Sequence, residues 1–311
     1  MTVASGALPR LPRRVSIREV GPRDGLQNEA IILATDDKLR LINALAATGL
    51  TWIEVGSFVH PQRVPQMADT AMVCARLPRR SGITYSVIAP NVTGARRALE
   101  AGIDSVEVFL SASESHNQRN LNMDIAQSLR TVTAMAALLR EAGHPFQATL
   151  SVAFGCPFEG AVPLERVLEL CGHLLDLGIA QLTLADTAGM AHPRLIQQLG
   201  WAFHERFPRH RLRLHLHNAH GAGLANVLAA LQIGVTAFDS SIGGIGGCPI
   251  APGAPGNLCT EDLVHMLHAM DIDTGIDLHA LIDCTRMLEH LLGREVPGQT
   301  IKAGVCTHLT G

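Results

Sequence analysis

Charge is scarce in this chain: of 311 residues only 17% are Asp, Glu, Lys or Arg, and the formal net charge is -3. No lysine- or arginine-rich run occurs after residue 14, which argues against a nucleic-acid or membrane-surface partner and leaves a small anionic ligand open. No apolar run reaches the roughly 18 residues that a bilayer-spanning helix needs. The start, MTVASGALPRLPRR, lacks the apolar stretch of a secretory signal and reads as a disordered tail. The seven cysteines are odd in number and form no CxxC pair, so they outline neither a zinc knuckle nor a disulfide framework. A reducing compartment, the cytoplasm, fits that usage. What the chain does have is apolar material, 47% of its residues, enough for a large core.

That material is periodic. Runs rich in β-branched residues occur at 15–20, 51–55, 83–89, 105–110, 147–153, 181–185, 211–217 and 235–240, and each is followed by a helix-period segment. The helices are expected near 36–47, 62–77, 92–101, 123–141, 163–177, 192–206, 222–232 and 261–269. In the fourth, Ile125, Leu129, Val132, Ala136 and Leu139 form one stripe. Strict alternation of strand and helix predicts a parallel sheet, and eight repeats predict closure into a (β/α)8 barrel. A doubly wound open sheet is the alternative. An extra helix is expected at 277–293, within a single unit spanning 15–300, and 301–311 is read as a second tail.

In a barrel, the residues following each strand share one mouth. Here that set is polar: Arg23, Asp24 and Gln27 after the first strand, Glu54 and Ser57 after the second, Ser111 and Ser113 after the fourth, and Asp186 after the sixth. The seventh carries His215 and His217. Strand residues two apart point the same way, so both imidazoles are expected to face the interior. With a carboxylate such as Asp24 and an amide oxygen such as Asn257 they would make a mixed N/O site suited to Mg2+ or Mn2+. A hydrogen-bonded core histidine beside a chance neighbour is the bland alternative, and an ordinary rim ion pair is the alternative for Arg23 and Asp24. Residues 243–257 hold six glycines and three prolines, which fits a mobile lid, a phosphate-gripping loop or an irregular connection. Cys248 within it is the cysteine expected to be reactive, whereas Cys74, Cys171 and Cys284 fall on helix patterns and are expected to be buried and inert.

Four motifs go further: VGPRDGLQNE at 20–29, IEVGSFVHP at 53–61, VPQMAD at 64–69 and GGIGGCPIAPGAPGNLCTEDL at 243–263. Together they resemble the 3-hydroxy-3-methylglutaryl-CoA lyases, metal-dependent TIM-barrel enzymes, over about residues 15–280. The resemblance implies divalent-metal ligands at Asp24, His215, His217 and Asn257, with Mg2+ or Mn2+ as the ion. It implies an enolate-stabilising Arg23, a lid Cys248, acid/base carboxylates Glu54 and Asp186, and a substrate-side hydroxyl at Ser57. The implied reaction is retro-aldol cleavage of a short 3-hydroxyacyl-CoA to acetyl-CoA and a 3-oxo acid, by a barrel that often pairs into a homodimer.

Several positions depart from the commoner pattern: Asn218 stands where aspartate is usual, His60 where serine is common and Ala30 where lysine is common. These spare the four implied ligands, and His60, near the mouth, bears on which C3 substituent fits. The arginine-aspartate and HxH motifs are shared with barrel aldolases and acyl-CoA-condensing synthases, the alternative enzymatic reading. A barrel that binds metal without catalysis is the non-enzymatic one.

Overall fold

The computed structural model describes residues 11–246 and 256–305. Its eight strands are Ser16–Glu19 (β1), Trp52–Ser57 (β2), Thr84–Ile88 (β3), Ser105–Ser111 (β4), Phe146–Ser151 (β5), Leu182–Ala185 (β6), Leu212–His215 (β7) and Ala237–Ser240 (β8). All pair in parallel with their sequence neighbours, and β1 closes on β8. The expected barrel is therefore the fold, and the open sheet is excluded.

The helices are Thr35–Leu45 (α1), Thr70–Arg76 (α2), Val92–Glu100 (α3), Glu114–Leu121 (α4), Ile125–Glu141 (α5), Leu164–Asp176 (α6), Pro193–Arg206 (α7), Gly223–Gln232 (α8), Thr260–Ala269 (α9), Leu278–Leu292 (α10) and Thr300–Ala303 (α11). Two expectations change. The helix expected over 62–77 is a 3-10 turn at Pro65–Met67 followed by α2, because Pro61 and Pro65 interrupt its start. Helix α4 was not expected: its sequence, ESHNQRNL, has no apolar stripe. It forms because the Ser113 hydroxyl caps it, accepting from His116 N–H at 3.2 Å. Helix α11 also continues past residue 300, where the sequence reading begins a tail. At the other end Arg14 bridges to Asp273.

Strand β4 shows how the barrel partitions its side chains. Val106, Val108 and Leu110 are fully buried, alternating with Glu107, Phe109 and Ser111, which point the other way. Glu107 reaches Arg18 on β1, a strand that is not its neighbour, so this face is the barrel interior. The interior is polar. Arg18 Nε and Nη2 donate to the two oxygens of Asp239 at 2.9 and 2.6 Å, Thr149 Oγ1 donates to Glu107, and Arg213 Nη1 donates to Gln147 Oε1 at 3.0 Å. Burying a guanidinium is costly unless it is paired and hydrogen-bonded; Arg18, 2% exposed, meets both conditions. The apolar face of every strand packs outward under the helices, in one continuous core that includes Ile17, Val108, Leu150, Leu184, Leu214 and Phe238.

Candidate metal centre at the barrel mouth

A single turn of π-helix at Gly21–Gly25 presents Arg23 and Asp24 directly after β1. The N–H groups of Arg23 and Asp24 both donate to the Val20 carbonyl, at 3.1 and 2.7 Å, which winds the chain tightly enough to aim both side chains into the mouth. Gly25 is required there by space: a Cβ would stand 2.6 Å from Ile245 Cγ1.

Asp24, His215 and His217 each bring a ligand atom within 4.8 Å of the others, so the three are able to hold a metal ion. His215 Nε2 lies 3.7 Å from Asp24 Oδ2 and 3.2 Å from His217 Nε2. Strand β7 ends at His215, yet the two-residue spacing still sets both rings on one side. Asn257 joins them from far along the chain. Its backbone bridges to His217 in antiparallel fashion, and its Nδ2 donates to Asp24 Oδ2 at 2.8 Å and to the Ile245 carbonyl at 3.2 Å. The return of Asn257 to this point needs Gly246, whose φ is 103° and where a Cβ would meet Asn257 Nδ2 at 2.4 Å.

The donor set fits a divalent cation. Asn257 Oδ1 is buried without a hydrogen-bond partner among the described residues, and an unpaired buried acceptor is costly unless something else satisfies it. Burial, followed by the nearby His215, pushes His217 down to about 3, so its ring is neutral and has a lone pair to give. Burial alone would raise Asp24, but Arg23, His215 and the Asn257 bond outweigh it and bring the carboxyl down to about 2. A carboxylate, two imidazoles and an amide oxygen suit Mg2+ or Mn2+ better than a thiolate-seeking ion.

The other expected residues divide. Arg23 Nε donates to Glu54 Oε1 and Nη1 donates to Asp24 Oδ1, so this guanidinium stands against the centre. Glu54 Oε2 is buried without a partner among the described residues. Asp186 Oδ1 accepts from the N–H groups of Met190 and Ala191 at 2.7 and 3.0 Å, and its Oδ2 is likewise buried and unpartnered among them. Burial pushes Asp186 up to about 7 against those bonds. Gln27 Nε2 is 3.5 Å from Asp24 Oδ1. Ser57 is buried at the end of β2, its N–H donating to Thr70 Oγ1 at 3.1 Å. Ser111 Oγ shares a 2.7 Å hydrogen bond with His116 Nδ1. The Ser113 hydroxyl is occupied, capping α4 and donating to Cys156 Sγ at 2.8 Å. His60 is exposed, its Nδ1 accepting from Gln62 N–H at 3.3 Å. Cys248, with residues 247–255 of the expected lid at 243–257, lies outside the described residues. Cys74, Cys171 and Cys284 are buried and pushed up to about 12 by burial, as expected.

The departure at Asn218 has a local explanation. Its Oδ1 accepts from Gly223 N–H at 2.9 Å, at the start of α8, which an amide or a carboxylate oxygen does equally well. Sequence reasoning missed Arg18, Glu107 and Asp239. The available signal was a charged side chain inside a strand of a parallel sheet, where both faces are covered and a charge must be paired.

An HMGL-like family model matches residues 14–288. The chain belongs to that family. The hydroxymethylglutaryl-CoA lyase YngG of Bacillus subtilis (strain 168) is 44% identical over 291 residues, covering 94% of this chain and 97% of that protein. The 3-hydroxy-3-isohexenylglutaryl-CoA/hydroxy-methylglutaryl-CoA lyase of Pseudomonas aeruginosa is 41% identical, covering 94% and 98%. Among solved structures, an HMG-CoA lyase from Acinetobacter baumannii, in complex with coenzyme A and 3-methylmalate, superposes with a TM-score of 0.91. It is 43% identical and covers 100% of this chain and 99% of its own. Among the described residues no helix is long and apolar enough to cross a membrane.

Proposed function

We propose that this protein is a divalent-metal-dependent carbon-carbon lyase that cleaves 3-hydroxy-3-methylglutaryl-CoA, or a close 3-hydroxyacyl-CoA homologue, to acetyl-CoA and a 3-oxo acid such as acetoacetate. The observation that carries the reading is the convergence of Asp24, His215 and His217 within 4.8 Å, with Arg23 bonded to the same carboxylate. Asp24, His215, His217 and Asn257 would hold Mg2+ or Mn2+, which supplies Lewis-acid polarisation of the substrate's oxygens.

The remaining steps belong to the chain. Asp186, with a carboxyl pushed up to about 7, is matched to take the proton of the C3 hydroxyl near neutral pH. The C2–C3 bond then breaks, C3 becomes a carbonyl, and the electron pair passes to C2 and the thioester oxygen as an enolate. Arg23 meets that oxygen's charge, and because Glu54 and Asp24 fix its orientation, little reorganisation is needed as the charge appears. Protonation of C2 releases acetyl-CoA, with Cys248 as the donor. Gln27, Ser57, His60, Ser111 and Ser113 border the acyl group.

The working unit is read as residues 15–300, in a cytoplasmic homodimer. Trp201 and Leu228, 59% and 37% exposed on the neighbouring helices α7 and α8, supply apolar surface that a second copy would cover. Incubation of the purified protein with Mn2+ and a panel of 3-hydroxyacyl-CoA thioesters, varied at the C3 substituent, tests the reading. Acetyl-CoA release from at least one member is expected; none from any member, with Mn2+ demonstrably bound, removes the lyase assignment.

A further inference from the structure

One buried carboxylate touches the metal centre and is not used by the reaction described above. Asp239 on β8 is 1% exposed and stands beside His215 in the β7–β8 register. Its Oδ2 lies 3.4 Å from His215 Nδ1, at the edge of hydrogen-bond reach, while the ring's Nε2 faces Asp24 and His217. The carboxylate has little freedom to turn away. Arg18 Nε and Nη2 grip its two oxygens, Arg18 faces Asp239 in the β1–β8 register, and Arg213 Nε lies 3.5 Å from Oδ1.

A neutral imidazole carries its single proton on one nitrogen, and the nitrogen without it is the ligand. A fixed carboxylate at Nδ1 favours the proton there and leaves the Nε2 lone pair facing the centre. His217 has no such partner: its Nδ1 is buried and unbonded among the described residues. The two histidines of the HxH pair are therefore inequivalent. Resting on the reading of Asp24, His215 and His217 as the metal centre, we propose that Asp239, clamped by Arg18, is a positioning residue that sets the tautomer and ring orientation of His215 for the cation.

Two measurements without substrate test this. Long-range 15N–1H correlation on histidine-labelled, metal-free protein at pH 8 reads the tautomer directly. His215 is expected with its proton on Nδ1, and a proton found on Nε2 overturns the proposal. Mn2+ titration followed by electron paramagnetic resonance is expected to weaken roughly 10- to 100-fold in Asp239→Ala and less in Asp239→Asn, whose amide oxygen still accepts from Nδ1. If the carboxylate serves only as an ion-pair partner for Arg18, the variants melt at lower temperature but bind Mn2+ as the parent does, which also overturns the proposal. Should Asp239→Ala not fold, the parent's tautomer decides alone. Failure of the parent to bind Mn2+ sinks the metal-centre reading itself and is read separately.

Discussion

Replacing Arg23 with glutamine separates catalysis from stability at one position. The parent guanidinium is 11% exposed and bonded to Glu54, which is fully buried, and to Asp24, which is 14% exposed. The substitution would leave both carboxylates in a low-dielectric mouth without their cation, and breaking such a buried pair typically costs about 3 to 5 kcal/mol of stability. Added Mn2+ should return part of that, because a bound dication supplies positive charge to Asp24. The kinetic loss has a different origin: a fixed donor at a developing oxyanion is worth about 3 to 4 kcal/mol of barrier, or roughly a hundred- to a thousandfold in kcat. Thermal melts with and without Mn2+ read the first effect, and acetyl-CoA release at saturating substrate and metal reads the second. A variant that is folded, loaded with Mn2+ and as fast as the parent would refute the enolate role. A variant whose slow rate recovers fully on metal loading would show that arginine acts only by organising Asp24.

Further consequences concern the carboxylates and the ligands. Asp186 acts as a base only when ionised, so kcat/KM should rise with pH and level off above about 7, and in Asp186→Asn that rising limb should vanish along with at least a hundredfold of the rate; a pH-rate profile of both proteins checks this. His217→Ala and Asn257→Ala should each weaken Mn2+ binding by calorimetry, with histidine the larger loss, whereas His60→Ala on the exposed loop should leave it unchanged and shift only the preference among C3 substituents. Arg18→Met should destabilise the barrel by about 3 to 5 kcal/mol in urea unfolding, because Glu107 and Asp239 would be left buried without their shared partner. Chelation should abolish acetyl-CoA release and Mn2+ should restore it; full activity in a verified metal-free sample would remove the metal from the chemistry.

How much of this was legible beforehand follows from where each signal resides. The barrel was readable because every strand must bury an apolar outer face under a helix, so Val106, Val108 and Leu110 announce β4 locally, and eight such runs announce closure. The histidine pair was readable because strand geometry fixes the relation between residues two apart. Helix α4 was not, since its stability comes from the Ser113 cap and not from an apolar stripe. Arg18 and Asp239 were legible only as charges inside parallel strands that must be paired; which partner each takes is set when β1 closes on β8 and brings the two together. Asn257 and Asp24 lie 233 positions apart, and only closure of the barrel brings the amide to the carboxylate.

Crystals soaked in Mn2+ and measured at the manganese absorption edge would examine the heart of this account without any turnover. One anomalous peak is expected at the mouth, about 2.0 to 2.3 Å from oxygens of Asp24 and Asn257 and from a ring nitrogen each of His215 and His217. A peak held by other residues, or one that leaves either imidazole outside coordinating reach, would contradict it.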